Sequence, residues 1–358
     1  MTSLYYHKHG GTGMTTPQGG ESDVLDFSVN ISPVFPPIGT LSLDHFALQR
    51  YPSIDGRGIK EYYQRKFGFA SSMVLPLNGA IEGIYLIPRA LGLRRIMLLS
   101  PSFYEYERAG RVAGAEIVFV PLEADNGFKL PGIEALADTL RDADAFFAAN
   151  PNNPTGTELP SEIIMALASR FPDKWFIVDE AFLQFTSAFP DNSLMSKVLA
   201  LKNVIVVASL TKFYALPGLR LGALVAHPEI ILRFLDYKEP WTVNAIAESV
   251  AVKLLDCGDY EESVRSMIIA ERARMKASLS MIDGIKLAGG AANFLLAQWK
   301  RGYSLDELLV YLKGQGILVR DCRNFPGLEV NYFRFAVRTP IENSRFLETL
   351  QAANRSLK

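Results

Sequence analysis

The feature that most constrains the fold is a series of short apolar runs, rich in Val, Ile and Phe, separated by amphipathic segments of helical length. Runs that are apolar on both faces are typical of buried strands in a mainly parallel sheet. Their alternation with helices predicts a wound α/β domain with helices on both faces of the sheet. The predicted strands are Val74–Leu77, Ile96–Leu99, Ile117–Val120, Ala145–Ala149, Phe176–Val178, Val204–Ala208 and Leu221–Val225, and the predicted helices are Ile81–Leu91, Tyr104–Ala113, Ile133–Leu140 and Glu162–Phe171.

Changes in this pattern predict three segments along the chain. Residues 1–40 are rich in Gly, Pro, Ser and Thr without a clear period, which indicates an irregular N-terminal arm. Residues 41–256 make up the large α/β domain, and residues 257–358 a smaller C-terminal α+β domain. Around and beyond that second boundary, helices are predicted at Asn244–Leu255, Tyr260–Ile282, Leu305–Gly314 and Glu342–Ala353, and strands at Phe294–Gln298, Ile317–Arg320 and Tyr332–Val337.

Composition and charge exclude several classes of protein. The chain has 37 Lys and Arg against 38 Asp and Glu, so it lacks the basic excess that drives binding to nucleic acid. Its two cysteines are far apart, which indicates neither a disulfide framework nor a metal site. Without a secretory signal or an apolar run of membrane-spanning length, we expect a soluble cytoplasmic protein with no membrane partner. An anionic ligand must then be held by a few placed arginines.

Two polar motifs follow predicted strands. Residues 149–156 read Ala-Asn-Pro-Asn-Asn-Pro-Thr-Gly, a rigid turn at the strand end where open α/β sheets bind ligands. A plain turn without a ligand is the alternative. In the second motif, Asp179 directly follows a buried apolar run, where a carboxylate is costly unless a cation meets it. A helix N-cap is the alternative role for Asp179.

A third motif places a lysine in an otherwise apolar stretch, at residues 208–222. Burial would lower the pKa of Lys212 and favour the free amine, the form that attacks a carbonyl. Ser209, Thr211 and Arg220 supply donors suited to a phosphate. A lysine for a Schiff base, a carboxylate for a ring nitrogen, a donor to a phenolate and a phosphate cradle are what pyridoxal phosphate requires. The three motifs together therefore predict this cofactor.

On these motifs the chain resembles the fold-type I pyridoxal-phosphate enzymes of the aminotransferase class I/II branch, over nearly its whole length. The resemblance implies that Lys212 forms the Schiff base, that Asp179 pairs with the ring nitrogen, and that Asn153 donates to the phenolate. The cofactor phosphate is then held by the side chains and backbone of Ser209, Thr211, Arg220, Ala80 and Ile81.

The same resemblance implies two aromatic contacts and a homodimer. Phe103 is expected to stack on the cofactor ring, with ordinary core packing as the alternative. Tyr51 is expected to reach the phosphate of the neighbouring subunit, because these enzymes are dimers with shared active sites.

A narrower resemblance, to the threonine-phosphate decarboxylases, rests on His-Gly-Gly at residues 9–11 and on residues 25–33, 240–245, 322–328 and 332–338. It implies decarboxylation of O-phospho-L-threonine to (R)-1-aminopropan-2-ol phosphate for cobalamin biosynthesis. The alternative is a histidinol-phosphate-type aminotransferase acting on a phosphorylated amino acid. Those aminotransferases share the core motifs but usually carry Tyr at the position of Phe182. A catalytically inactive binding protein of the same fold is a third interpretation, which intact Lys212 and Asp179 disfavour.

By resemblance, the substrate is held mainly by two arginines. Arg334 occupies the position that pairs with the α-carboxylate, and Arg320 joins it in binding the anionic groups. Further contacts are expected from His9, Gly10 and Asn30 of the arm, while Asn153 contacts both cofactor and substrate. A surface arginine is the alternative for Arg320, and a solvated histidine for His9. Threonine phosphate and serine phosphate, which differ by one methyl group, both fit this prediction.

Overall fold

The structure is a computed structural model that describes residues 24–40, 49–300, 305–328 and 330–357. Its strands are β1 Leu25–Asp26, β2 Val74–Asn78, β3 Arg95–Ser100, β4 Glu116–Pro121, β5 Ala145–Ala149, β6 Trp175–Asp179, β7 Val204–Ser209, β8 Leu221–Ala226, β9 Ile285–Gly289, β10 Phe294–Trp299, β11 Ile317–Leu318, β12 Arg320–Asp321 and β13 Tyr332–Ala336. Its α-helices are α1 Arg57–Phe67, α2 Ala80–Leu91, α3 Tyr104–Val112, α4 Ile133–Leu140, α5 Ser161–Arg170, α6 Pro228–Leu235, α7 Ala245–Lys253, α8 Gly258–Ser280, α9 Leu305–Gly314 and α10 Pro340–Ser356.

A seven-stranded sheet forms the larger part of the fold, in the order β2-β8-β7-β6-β5-β3-β4. Only β8 runs antiparallel to its neighbours β2 and β7, and the remaining pairs are parallel. The predicted mainly parallel α/β sheet is therefore confirmed. Each predicted strand of this sheet is present, with bounds that differ by no more than one residue at either end.

The central strands β5, β6 and β7 are buried on both faces because they are apolar at almost every position, whereas the edge strand β4 is partly exposed. Along β5, Phe146 and Ala148 join one hydrophobic cluster, whereas Ala145, Phe147 and Ala149 join the cluster on the opposite face. This alternation is the period of two that a pleated strand imposes. The same division continues along β6 and β7, so the strand ends alone offer positions for polar chemistry.

A smaller antiparallel sheet, in the order β12-β13-β10-β9, lies in the C-terminal part of the chain. The N-terminal segment is joined to this part, since β1 pairs in parallel with β11 and the ring of Phe27 stacks on Phe346 at 4.8 Å between centroids. The irregular arm predicted for residues 1–40 therefore misses a short strand. The domain boundaries near residues 40 and 256 stay predictions. None of the helices in the described parts of the chain is long and apolar enough to cross a membrane.

Candidate active site

The sheet topology brings several polar motifs to one edge. Because β5, β6 and β7 are adjacent and parallel, Ala149, Asp179 and Ser209 lie at the same end of the sheet. β8 is reversed, so its first residue and the preceding Arg220 also lie at that edge, with Gly222 paired to Ser209. Residues far apart in the chain therefore meet where parallel sheets bind ligands.

A cavity of about 370 Å³ opens at this edge. Predicted site residues that line it are Asn30, Ala80, Ile81, Phe103, Asn153, Asp179, Ser209, Thr211, Lys212, Arg220, Arg320 and Arg334. Tyr51 is not among the lining residues: it is 83% exposed and packs against the Trp241 ring at 5.1 Å between centroids. His9 and Gly10 lie outside the described residues.

Lys212 reaches the cavity from the turn after β7. Desolvation lowers the pKa of its amine to about 8, and the positive charges of Arg220 and Arg334 act in the same direction. The carboxylate of Asp179 opposes this shift but does not cancel it. About a tenth of the amine is therefore unprotonated at pH 7, far more than for an ordinary lysine, and the unprotonated form is the nucleophile.

Asp179 is a buried carboxylate at the end of β6, and it is not a helix cap. Its Oδ2 accepts from the Tyr106 hydroxyl at 2.8 Å, and its Oδ1 accepts from the Ala181 backbone N–H at 2.9 Å. The next helical turn, Leu183–Phe185, has no side-chain cap. Desolvation raises the pKa of Asp179. Among the described residues Asp179 forms no ion pair, so a cation from a ligand would relieve its buried charge.

The start of α2 forms a cradle with Arg220. Gly79 has φ 76°, and a Cβ there would lie 2.2 Å from Arg220 Nη2, so the guanidinium packs directly over this glycine. No side chain caps the helix start. The hydroxyls of Ser209 and Thr211, 2.8 Å apart, line the same cavity. Helix N–H groups, hydroxyls and a guanidinium together suit a phosphate.

Arg334 projects from β13 into the cavity as a buried guanidinium. Its Nη1 donates to Asn153 Oδ1 and its Nη2 to the Ser28 carbonyl at 2.9 Å. Burial lowers its pKa to about 10, so it stays charged at neutral pH. Its Nε has no hydrogen-bond partner within the described residues, and neither has the buried amide of Asn30. These orphaned polar atoms fit a site that takes a polar ligand.

Arg320 is also buried, so the surface-arginine alternative is wrong. Its guanidinium lies 5.4 Å above the centroid of the Phe325 ring. Nη2 donates to Asn324 Oδ1 at 2.9 Å, and Nη1 donates to the Asp321 carbonyl at 2.7 Å. These contacts fix the guanidinium at the cavity wall.

The Asn-Pro motif divides into a turn and a site residue. The side chains of Asn150 and Asn152 are used inside the protein, because Asn150 Oδ1 accepts from the Leu159 N–H and Asn152 Nδ2 donates to the Pro101 carbonyl. Asn153, by contrast, lines the cavity. Phe103 also lines it and meets Tyr106 edge to face at 5.5 Å, so it packs on the protein and faces the site.

Sequence reasoning missed five polar residues of the cavity wall. Tyr106 and Ser28 were not assigned contacts, although Tyr106 lies three positions after Phe103 on α3 and so shares its face. Tyr85, Glu105 and Arg108 line the cavity as one hydrogen-bonded group on α2 and α3. The described ranges contain no group of His, Cys, Asp or Glu that could hold a metal ion.

Fold and site together define a pyridoxal-phosphate enzyme of fold type I. The chain belongs to the aminotransferase class I and II family, whose model matches residues 29–350. The predicted class and cofactor are thereby confirmed.

Within that family the chain is similar to threonine-phosphate decarboxylases and histidinol-phosphate aminotransferases. It is 33% identical to the threonine-phosphate decarboxylase of Salmonella typhimurium strain LT2, in an alignment that covers 98% of this chain and 97% of the relative. A structure of the L-threonine-O-3-phosphate decarboxylase from Porphyromonas gingivalis gives a TM-score of 0.80 at 25% identity, over 93% of this chain and 100% of that one. The crystal structure of the histidinol-phosphate aminotransferase from Clostridium acetobutylicum gives a TM-score of 0.83 at 28% identity. This match covers 93% of this chain and 99% of that one.

Proposed function

We propose that the protein is a threonine-phosphate decarboxylase, which converts O-phospho-L-threonine to (R)-1-aminopropan-2-ol phosphate for cobalamin biosynthesis. The observation that carries the proposal is the pair of buried arginines, Arg320 and Arg334, in one cavity with Lys212 and Asp179. A substrate with a carboxylate and a phosphate supplies an anion for each arginine. The similarity to the Salmonella typhimurium enzyme over nearly the whole chain supports the same assignment.

The cavity residues divide into those that would hold the cofactor and those that would hold the substrate. Lys212 would hold pyridoxal phosphate covalently, Asp179 would face its ring nitrogen, and Asn153 would donate to its phenolate. The helix start at Ala80 and Ile81, together with Ser209, Thr211 and Arg220, would bind its phosphate. Phe103 would stack on its ring. When bound, the cofactor supplies an electron sink for the bond that breaks at the substrate Cα.

Protein residues then orient the substrate and manage its proton. Arg334 binds the α-carboxylate in a bidentate contact, and Arg320 binds the substrate phosphate. The buried negative charge of Asp179 stabilises a proton on the ring nitrogen. After carboxylate loss, Lys212 Nζ can return a proton to the substrate Cα. His9, Gly10 and Asn30 are the remaining proposed substrate contacts, and closure of the arm would exclude water.

An aminotransferase acting on a phosphorylated amino acid is the second candidate. The structural similarity to the Clostridium acetobutylicum aminotransferase favours it. Both reactions begin from the same substrate complex and differ in which Cα bond is held perpendicular to the cofactor ring. Phe182 favours the decarboxylase: it lines the cavity against the Phe294 ring at 5.2 Å and offers no hydroxyl.

The product formed from O-phospho-L-threonine tests the proposal. Mass spectrometry of a reaction without any keto acid should find an amine that has lost the carboxyl group and kept the phosphate. A product that keeps the carboxyl group and has lost the amino group, formed only with 2-oxoglutarate, would instead identify the aminotransferase.

A homodimer with shared active sites is part of the proposal. Tyr51 and Trp241 are exposed large aromatic side chains that pack on each other. Exposed paired aromatics of this kind are typical of interfaces. Tyr51 would then reach the cofactor phosphate of the neighbouring subunit. The cytoplasmic location stays a prediction.

A further inference from the structure

Glu82 places a carboxylate beside the proposed phosphate site. It is the third residue of α2, directly after Ala80 and Ile81, which line the cavity. Its Oε2 accepts from the Asn78 backbone N–H at 2.5 Å, so the side chain turns back toward the helix start. An uncompensated negative charge there would stabilise the helix but repel a phosphate bound at the same end.

Lys238 compensates this charge from a distant part of the chain. Its Nζ lies 3.0 Å from Glu82 Oε1, and the two side chains are only 9% and 16% exposed. Lys238 Nζ also contacts Thr242 Oγ1, which donates to Glu82 Oε2 at 3.2 Å. Because the pair is largely buried, solvent screens it less than an exposed ion pair.

The same segment also reaches the other half of the phosphate site. Asn244 Nδ2 donates to the Leu219 carbonyl at 3.2 Å, one residue before Arg220. Its Oδ1 accepts from the Ala247 N–H at 2.8 Å and caps α7, which fixes the position of the asparagine. Residues 238–244 thus connect the start of α2 with the turn that carries Arg220.

We propose that residues 238–244 form a brace for the cofactor-phosphate site, with Lys238 as a positioning residue that neutralises Glu82. The proposal rests on the phosphate-binding role proposed above for α2 and Arg220. It also gives a role to the motif at residues 240–245, to which the proposed catalytic mechanism assigns none.

Binding of two cofactor forms tests this role. Each full-length variant is stripped of cofactor and titrated with pyridoxal phosphate and with pyridoxal, which lacks the phosphate. Lys238→Met should raise the dissociation constant for pyridoxal phosphate about tenfold, because it leaves Glu82 charged beside the anion. Its dissociation constant for pyridoxal should stay unchanged. Glu82→Gln should bind pyridoxal phosphate at least as tightly as the unmodified protein, and the double variant should regain its affinity.

The Lys202–Glu229 pair provides a matched control. Its N···O distance is 2.9 Å, but its side chains are 61% and 65% exposed, so Lys202→Met should change neither dissociation constant. The proposal would be overturned if Lys238→Met lost affinity equally for pyridoxal phosphate and for pyridoxal. It would also be overturned if the double variant bound pyridoxal phosphate no more tightly than Lys238→Met. If Lys238→Met does not fold, Glu82→Gln decides alone, since weaker phosphate-dependent binding contradicts the electrostatic role.

These titrations involve no turnover, so their outcome is independent of which reaction the enzyme catalyses. If the unmodified protein binds pyridoxal phosphate no more tightly than pyridoxal, the phosphate-site assignment itself fails, and the brace with it.

Discussion

At the scale of single residues, Lys212 shows how burial adapts a side chain to its chemistry. An ordinary lysine has a pKa of about 10.4 and is almost wholly protonated at neutral pH. Desolvation and two neighbouring guanidinium groups lower the pKa of Lys212 to about 8. Because the pKa is lowered, the reactive free amine increases as the pH rises through that value.

The rate at which cofactor-free protein captures pyridoxal phosphate should therefore rise with pH, with a midpoint at about 8, and level off at higher pH. Stopped-flow absorbance across this range measures the midpoint. Asp179→Asn should move the midpoint lower, because it removes the negative charge that raises the pKa of Lys212. A midpoint near the ordinary lysine value would show that the site does not depress this pKa.

The surroundings of Asp179 fit its proposed role, in which its charge serves a ligand rather than the fold. Desolvation raises its pKa, so the isolated protein gains little from its ionised form. Asp179→Asn should lower kcat at least about a hundredfold, since it removes the charge that is proposed to face the cofactor ring. The melting temperature should change little or rise. Tyr106→Phe is the control, because it deletes the 2.8 Å hydrogen bond but keeps the carboxylate, and its loss of kcat should be much smaller. If both variants lowered kcat by the same small factor, the role of Asp179 would be purely structural.

At the scale of elements, the sequence predicts buried strands well and partly exposed elements poorly. Strand β5 is predicted to the residue because all of its positions are buried. Helix α1 was missed because it is rich in charged residues and its buried face has only one aliphatic side chain, Ile59. Strand β9 was missed because most of its residues are only half-buried. The predicted strand Ile317–Arg320 is in fact two strands. β11 pairs with β1 and β12 pairs with β13, and local patterns do not show such distant partners.

Arg320 is the first residue of β12, and this position determines where its side chain points. Replacing Arg320 therefore tests substrate recognition. Arg320→Ala should raise KM far more for O-phospho-L-threonine than for threonine, because the proposed role of the buried guanidinium is to bind the phosphate. Arg323→Ala is the matched control. Arg323 is three residues away and paired with Asp306 and Asp321 at the surface, so its loss should leave both KM values nearly unchanged. If Arg320→Ala raised KM equally for both substrates, Arg320 would not be the residue that binds the substrate phosphate.

At the scale of the whole molecule, the site joins segments that are far apart in the chain. The residues at strand ends could be predicted, because parallel strands bring their carboxyl ends to one edge. Tyr106 and Ser28 could not be predicted in this way. Their partners, Asp179 and Arg334, lie 73 and 306 residues away, and only the packed fold brings them together. The near-zero net charge agrees with this arrangement, since a few buried arginines rather than a general field face the cavity.

The most direct measurement is the partition of O-phospho-L-threonine between two products in one reaction. The holoenzyme is given this substrate together with excess 2-oxoglutarate, and carbon dioxide and glutamate are quantified in the same sample. A threonine-phosphate decarboxylase should release carbon dioxide in proportion to the substrate consumed, form almost no glutamate, and run at the same rate when 2-oxoglutarate is omitted. Glutamate formed in proportion to the substrate consumed, with carbon dioxide at background, would contradict the proposed function and identify an aminotransferase.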